Sequence, residues 1–405
     1  MTNLLSSPTT FFILPPHHHH LNNFQFQFSL LRHRPDRRCH VAPSNGQHCT
    51  NTLQLSCGLL HSCVQTAMFE EVIGVSLLCC VAWLVCRSFR PPPPKICGEP
   101  GGPPITGLRI KLRDGRYLSY KEHGVAKETA KYKMVFVHGT STNKHDAWIA
   151  TSGLAQELGA YIVSFDRPGY GESTPNPNRT IKSTALDIED LADQLVLGPK
   201  FYVVGYSMGG QSVWGCLKYI PHRLAGATLV APVINYWWPG FPKKLKAKEL
   251  SEQLRQDQFA LRVAHYAPWL LYWWNTQNWF SGSSVIRGKA RMTPQDIEFI
   301  IKSHANGNPK EYSTKQGMYE SYMRDMMIGF GKWEFDPMDL KDPFAGQEGA
   351  VHLWHGSSDG LVPVALQRYI AERLPWIHYH EIPKGGHLFC YADDVKDDIL
   401  RTLLA

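Results

Sequence analysis

The sequence predicts an α/β fold, in which helices flank a mostly parallel β-sheet and a helical cap is inserted late in the chain. From residue 105 onward, short apolar runs alternate with segments of helical spacing, a pattern typical of parallel strands joined by helices. Between residues 235 and 343 the apolar runs stop and the composition becomes helical. That stretch is too long for a loop. We therefore assign residues 105–234 and 344–405 to the core and 235–343 to the cap.

The sheet is expected to begin with an antiparallel hairpin. Residues 108–112 and 117–122 alternate apolar and polar side chains around Asp114-Gly115, a common turn pair. The other predicted strands are residues 133–137, 161–165, 201–204, 224–230, 351–354 and 378–382, and the clearest predicted helices are residues 184–197 and 208–219. Ligands of such sheets bind at the carboxyl ends of the parallel strands.

Charge and cysteine placement exclude several classes of function. The 405-residue chain has a net charge of +7, and its basic residues are dispersed after residue 105, so nucleic-acid binding is not predicted. Eight of the ten cysteines precede residue 100, which leaves Cys216 and Cys390 for the core and cap. Two distant cysteines provide neither a disulfide framework nor a zinc site.

The first 67 residues predict a disordered leader. They lack lasting periodicity. They contain Arg32, Arg34, Arg37 and Arg38, whereas Asp36 is their only acidic residue. An arginine-bearing, acid-poor leader is also typical of an organelle transit peptide. A third interpretation is upstream sequence before a true start at Met68.

Residues 72–89, from Val72 to Phe89, predict a membrane anchor within an anchor segment at 68–90. Fifteen of them, 72–86, carry no charge, which is the short end of what spans a bilayer. A signal sequence and a buried helix are the alternatives. The Pro- and Gly-rich residues 91–104 follow as a linker, which favours a tethered anchor.

Flanking charges predict the orientation of this anchor. Glu70 and Glu71 precede it, and Arg87, Arg90 and Lys95 follow it. Positive residues favour the cytosolic side, so we expect a single-pass endomembrane protein whose C-terminal domain is cytosolic. A plastid or a secretory lumen is the alternative location.

A candidate nucleophile lies between a predicted strand and a predicted helix. Gly205, Ser207 and Gly209 form a G-x-S-x-G motif. On a sharp strand-to-helix turn the neighbours of the serine must lack a Cβ, because backbone segments approach closely there. The motif therefore predicts a serine hydroxyl exposed at the carboxyl end of the strand.

A serine nucleophile needs a base and a carboxylate that orients the base. Asp359 directly follows the predicted strand at 351–354, and His387 follows the one at 378–382. All three side chains then fall at one edge of the sheet, in the order Ser, Asp, His. Asp336, Asp339 and Asp342 are alternative acids at the exit of the cap.

The remaining requirement is an oxyanion hole of two backbone N–H groups. One is expected from Met208, directly after the nucleophile. The other is expected from Thr140, since Gly139 lets the chain turn after the predicted strand at 133–137. In the motif at 166–171, which predicts a rigid turn, Arg167 is expected to pair locally.

Aromatic residues are concentrated in the predicted cap. Seven of the twelve tryptophans lie there, namely Trp237, Trp238, Trp269, Trp273, Trp274, Trp279 and Trp333. We expect these rings either to line an apolar substrate chamber or to pack the cap itself.

Several of these motifs together resemble the α/β-hydrolase superfamily, and within it plant membrane-anchored members of unassigned substrate. The motifs are Gly205-Tyr-Ser-Met-Gly-Gly210, His138-Gly139, Asp166-Arg-Pro-Gly-Tyr-Gly171, Asp359 and Gly386-His387. The resemblance covers residues 105–405 and implies an eight-stranded sheet, a helical cap, and no metal or organic cofactor. It also implies roles: Ser207 as nucleophile, His387 as base, Asp359 as its orienting acid, Thr140 and Met208 as oxyanion donors.

Departures from the superfamily's branches narrow the prediction. Ser207 stands where epoxide hydrolases and haloalkane dehalogenases carry Asp, and the chain lacks the His-x₄-Asp motif of acyltransferase members. Thr140 and Ser141 replace the glycines of the His-Gly-Gly-Gly loop of one esterase group. The resemblance then implies a serine esterase or lipase, and the apolar cap and the predicted anchor favour a lipophilic acyl ester as its substrate. Amide, thioester or carbon–carbon cleavage and a ligand-binding receptor of the same fold are the alternatives.

Overall fold

The structure, a computed structural model, describes the backbone of residues 49–151, 153–304 and 309–405. Residues 1–48 of the predicted leader lie outside the described residues. The chain divides into two units, residues 1–75 and 76–405. All strands and the predicted site residues belong to the second unit.

The first helix, α1, is Cys49–Phe89. The sequence predicts an irregular leader up to residue 67, whereas the backbone is helical from Cys49 onward. One reason is that no proline occurs between Pro43 and Pro91 to interrupt a helix. Its part Met68–Phe89 has a mean hydropathy of 2.1 and is long and apolar enough to cross a membrane. This is compatible with a membrane anchor or a signal sequence.

The linker stretch that follows α1 has contacts of its own. The Lys95 N–H donates to the Gln316 carbonyl at 3.0 Å, and the Cys97 N–H donates to the Gln316 side-chain oxygen at 3.0 Å. Cys97 is buried. This part of residues 91–104 therefore lies against the folded domain.

An eight-stranded sheet forms the centre of the second unit. Its strands are β1 (Leu108–Lys111), β2 (Tyr117–Gly124), β3 (Tyr132–Val137), β4 (Ala160–Phe165), β5 (Phe201–Tyr206), β6 (Leu224–Val230), β7 (Val351–Gly356) and β8 (Ile377–Ile382). The order is β1-β2-β4-β3-β5-β6-β7-β8. The β1–β2 and β2–β4 pairs are antiparallel and the other pairs are parallel. The predicted fold class and the leading hairpin are confirmed.

Helices cover both faces of this sheet. The core helices are α2 (Gly153–Glu157), α3 (Ile181–Gln194), α4 (Met208–Tyr219), α12 (Val364–Arg373) and α13 (Asp393–Leu404). One apolar layer contains buried residues of α3, α4 and α12, and the other contains those of α2 and α13. Strands β3 and β4 are therefore buried on both faces, which explains the apolar runs at 134–137 and 160–163.

Between β6 and β7 the described chain contains helices and no strand. These helices are α5 (Lys243–Glu252), α6 (Arg255–Tyr266), α7 (Leu271–Thr276), α8 (Ser284–Arg287), α9 (Pro294–His304), α10 (Pro309–Ser313) and α11 (Arg324–Gly329). We keep the name cap for residues 235–343. The insertion follows β6, next to the strand that carries Ser207, so it lies over the carboxyl edge of the sheet.

A buried ionic network fixes the cap to the core. Arg167, after β4, donates from its two terminal nitrogens to the Asp325 oxygens of α11 at 2.9 and 2.7 Å. Arg179 and the Tyr170 hydroxyl donate to the same carboxylate at 2.5 and 2.6 Å. Burial acts to raise the pKa of Asp325, but Arg167 and Arg179 outweigh it, so that pKa is lowered. The expected local pairing of Arg167 is wrong, because its partner lies 158 residues away.

We expect Asp325→Asn to lower the free energy of unfolding by about 3–5 kcal/mol, because two buried guanidinium groups lose their counter-charge. Urea unfolding followed by tryptophan fluorescence measures the change. Glu252→Gln is the control, because Glu252 pairs with Lys248 in an ion pair that is 56% and 65% exposed, where the loss should stay below about 1 kcal/mol. Equal losses in both variants would contradict the assignment.

Candidate active site

The turn between β5 and α4 holds Ser207 in a strained conformation. Its φ of 53° and ψ of −118° lie in a region that L residues rarely adopt, at a cost of about 1–3 kcal/mol. The turn is possible because its glycines lack a Cβ. A Cβ on Gly209 would collide with the Val137 carbonyl oxygen, and one on Gly205 would collide with the Gly209 carbonyl oxygen.

Two loops from neighbouring strands bring a histidine and an aspartate to this serine. His387, after β8, has its Nε2 2.9 Å from the Ser207 Oγ. Its Nδ1 lies 2.7 Å from Asp359 Oδ2, in the loop after β7. Asp359 Oδ1 accepts the Leu361 and Val362 N–H groups at 2.8 and 3.0 Å. The structure thus joins Ser207, His387 and Asp359 in one hydrogen-bonded row.

Burial and charge set the protonation of this row. Burial acts to raise the pKa of Asp359, but His387 and His355 outweigh it, so that pKa is lowered. Burial acts to lower the pKa of His387, but Asp359 and then Asp296 outweigh it, so that pKa is raised. Asp359 is therefore a carboxylate at neutral pH, and its contact fixes the Nδ1 proton of His387.

Asp296 is a further residue at this site, and the sequence prediction missed it. It lies in the first turn of α9 in the cap, and it is 1% exposed. One of its oxygens accepts the His387 N–H at 3.2 Å, and the other accepts the Leu388 N–H at 2.7 Å. The sequence does contain a local pattern at this position, Thr293-x-x-Asp296, which is typical of a helix N-terminus. The two mutual hydrogen bonds of this capping pattern are present. Its role at a loop 91 residues away is not visible in the sequence.

The loop after β3 passes close to Ser207. A Cβ on Gly139 would lie 3.0 Å from that of Ser207, and Thr140 is the next residue. The Gly139 carbonyl accepts Arg167 Nη2 at 3.0 Å and lies 2.7 Å from His138 Nδ1. His138 Nε2 accepts the Arg167 N–H at 3.0 Å, so Nδ1 carries the proton. Burial and then Arg167 hold the pKa of His138 well below its usual value.

The alternative acids lie elsewhere. Asp336 accepts the N–H groups of Gly240 and Met338, and Asp342 accepts that of Phe344. Among the described residues, no group of three or more His, Cys, Asp or Glu side chains could hold a metal ion.

A cavity of about 1270 Å³ opens between the core and the cap. Ser207, His387, Thr140 and Met208 lie in its wall. Apolar side chains of the cap complete much of the lining, namely Leu261, Val285, Ile286, Phe299, Met326 and Phe330. The seven cap tryptophans are absent from the residues that line it, so the first of the two expected roles, an aromatic chamber, is wrong. Trp238 is buried in the core, whereas Trp269 and Trp279 are exposed.

The family model of the "Alpha/beta hydrolase family" matches residues 134–399. The chain belongs to this family. The match begins within β3, ends within α13 and includes all three residues of the hydrogen-bonded row. The predicted family resemblance is therefore confirmed, and membership supports a hydrolase.

Individual relatives are distant. Rat "Protein ABHD14A" is 30% identical over 146 residues, which are 35% of this chain and 60% of that protein. The chain thus spans less than two thirds of that relative's length. A "Putative carbamate hydrolase RutD" from a Caulobacter species is 26% identical over 62% of this chain and 88% of its own length. The enol-lactonase from Burkholderia xenovorans superposes with a TM-score of 0.51 at 16% identity, over 74% of this chain and all of that one. This likeness supports the fold.

We expect Asp296→Asn to lower the pKa of His387, because the variant keeps a hydrogen-bond acceptor near the loop and removes a negative charge that raises that pKa. NMR titration of the labelled histidine ring measures it, with His387→Gln to assign the signal. Asp257→Asn is the control, since Asp257 binds Ser283 and Ser284 instead. Identical titration of His387 in Asp296→Asn and the parent would contradict this electrostatic role.

Proposed function

We propose that the protein is a serine hydrolase that cleaves carboxylic esters through an acyl-enzyme. The observation that carries the proposal is the row Ser207 Oγ–His387–Asp359, with distances of 2.9 and 2.7 Å, in the wall of a cavity with an apolar lining. Acyl transfer of this kind requires a serine nucleophile, a histidine that can take up a proton, and a carboxylate that orients the histidine.

In the first half-reaction, Ser207 Oγ bonds to the ester carbonyl carbon while His387 Nε2 takes the serine proton. The imidazolium that forms is stabilised by Asp359, whose negative charge faces the Nδ1 proton. The carbonyl oxygen becomes an oxyanion, which the N–H groups of Met208 and Thr140 would stabilise, each by about 10²–10³ in rate. When the bond to the alkoxy group breaks, His387 returns the proton to the leaving alcohol.

In the second half-reaction, water replaces the alcohol. His387 takes a proton from the water as its oxygen bonds to the acyl carbon, and the same two N–H groups hold the oxyanion. The bond to Ser207 Oγ breaks, His387 returns the proton to Ser207, and the carboxylic acid leaves. Every step uses residues of this chain.

The shape of the cavity supports a lipophilic acyl ester as the substrate class. Its volume of about 1270 Å³ exceeds what a small polar ester needs. Leu261, Ile286 and Phe299 offer an apolar wall to an acyl chain. A second chemistry, cleavage of a C–N bond, is supported by the Caulobacter relative, which is named a putative carbamate hydrolase. The same triad can attack either carbonyl.

The first test is labelling of the full chain by a fluorophosphonate probe, which reacts with activated serines. We expect Ser207→Ala to abolish labelling and to lower ester turnover by at least three orders of magnitude. Ser212→Ala is the control, because Ser212 is a comparably buried serine on α4. Labelling that persists in Ser207→Ala, or that disappears in Ser212→Ala alone, would refute the nucleophile.

The second test is acyl-chain length. We expect kcat/KM to rise from p-nitrophenyl acetate through butyrate to octanoate, by up to roughly fourfold per methylene buried. Leu261→Asn should flatten the series, because it places an amide in the apolar wall. Leu186→Asn is the control at a residue that is 40% exposed. A flat series in the parent protein would remove the lipophilic substrate and leave the hydrolase proposal standing.

A further inference from the structure

The surface of the cap carries a continuous group of aromatic rings, which we call the aromatic patch. Its members are Phe89, Phe259, Trp269, Trp273, Trp274, Trp279 and Phe280. Each ring contacts at least one other ring of the group. For example, the ring centroids of Trp273 and Trp279 lie 6.0 Å apart, and Trp274 stacks on Phe280 with a centroid distance of 5.9 Å. These residues come from the end of α1, from α6 and α7, and from the segments that flank α7.

The aromatic patch faces solvent in the folded domain. Phe259 is 55% exposed, Trp269 65%, Trp279 79% and Phe280 58%. Single exposed apolar residues are ordinary on protein surfaces, whereas contiguous exposed groups of large rings mark contact surfaces. We therefore expect the aromatic patch to be a contact surface.

The sequence around the aromatic patch is strongly basic. Residues 255–291 contain five basic residues, namely Arg255, Arg262, Arg287, Lys289 and Arg291, and one acidic residue, Asp257. Five positive charges and one negative charge give +4 with His neutral. The Asp257 carboxylate is occupied by hydrogen bonds from Ser283 and Ser284. The charge of this segment thus fits an anionic surface.

The aromatic patch is continuous with the apolar helix. Phe89, the last residue of α1, lies 5.6 Å from both Trp269 and Trp273 between ring centroids. Phe89 also ends the part of α1 that is apolar enough to cross a membrane. A membrane-spanning helix leaves the hydrocarbon core at its last apolar residues, and tryptophan favours that interface. Phe89 would thus set the aromatic patch at the level of the lipid headgroups.

We propose that the aromatic patch is a bilayer-binding surface, in which the exposed rings enter the headgroup region and the basic residues of the segment 255–291 contact anionic lipid. Basic residues near such a surface add to its attraction for anionic lipid. The same segment also contributes to the wall of the cavity, through Leu261 of α6 and Ile286 of α8. The proposal goes beyond ester cleavage and does not require that Ser207 react.

The test places the full chain in phosphatidylcholine–phosphatidylserine vesicles that contain a diazirine phospholipid. After illumination, trypsin releases residues 263–287 as one peptide, because no Lys or Arg lies within them before Arg287. We expect this peptide to carry at least tenfold more lipid label than residues 183–200. That control peptide holds the exposed Leu186 and Val196. Label on α1 verifies insertion.

A triple variant, Trp269→Ser with Trp279→Ser and Phe280→Ser, should reduce labelling of residues 263–287 at least fivefold and leave labelling of α1 unchanged. Circular dichroism checks that the variant is folded. Labelling of residues 263–287 at the control level would overturn the proposal, as would shielding of these rings by a second copy of the chain in cross-linking. Equal labelling without phosphatidylserine would overturn the preference for anionic lipid. Because labelling needs no turnover, its outcome is separate from that of the fluorophosphonate test.

Discussion

The close contact between the start of α4 and the end of β3 is the constraint on which the site depends. Gly209 lies against the Val137 carbonyl so tightly that no other residue fits. This contact permits the strained conformation of Ser207, whose hydroxyl then faces the loops after β7 and β8. The strain is maintained by the sheet, because β5 is hydrogen-bonded on both sides, to β3 and to β6.

The cap is joined to the two loops that flank Ser207. Asp325 holds Arg167, which in turn donates to the Gly139 carbonyl in the loop after β3. Asp296 accepts the N–H groups of His387 and Leu388 in the loop after β8. The Arg167–Asp325 ion pair is buried, and so is the Asp296 carboxylate, so both contacts are stronger than an ordinary surface hydrogen bond. Displacement of the cap would therefore disturb both loops at once.

The proposed chemistry and the proposed membrane surface meet in the same part of the cap. One side of this segment supplies Leu261 and Ile286 to the cavity, and another carries Trp269 and Trp279 into solvent. A lipophilic ester partitions into a bilayer, so an enzyme for such substrates benefits from a cavity wall that lies at the bilayer surface. The two proposals share the observation that Leu261 and Ile286 line the cavity, but their tests are independent.

The sequence by itself determined the sheet and the candidates Ser207, Asp359 and His387, because strand periodicity and turn motifs are local patterns. Their positions after strand ends also indicated a shared edge. Only the tertiary structure decided the roles of Asp296 and Asp325, since their partners lie 91 and 158 residues away. It likewise decided which cap tryptophans are buried. Composition shows how many rings a segment has, but packing against the core determines which of them face water.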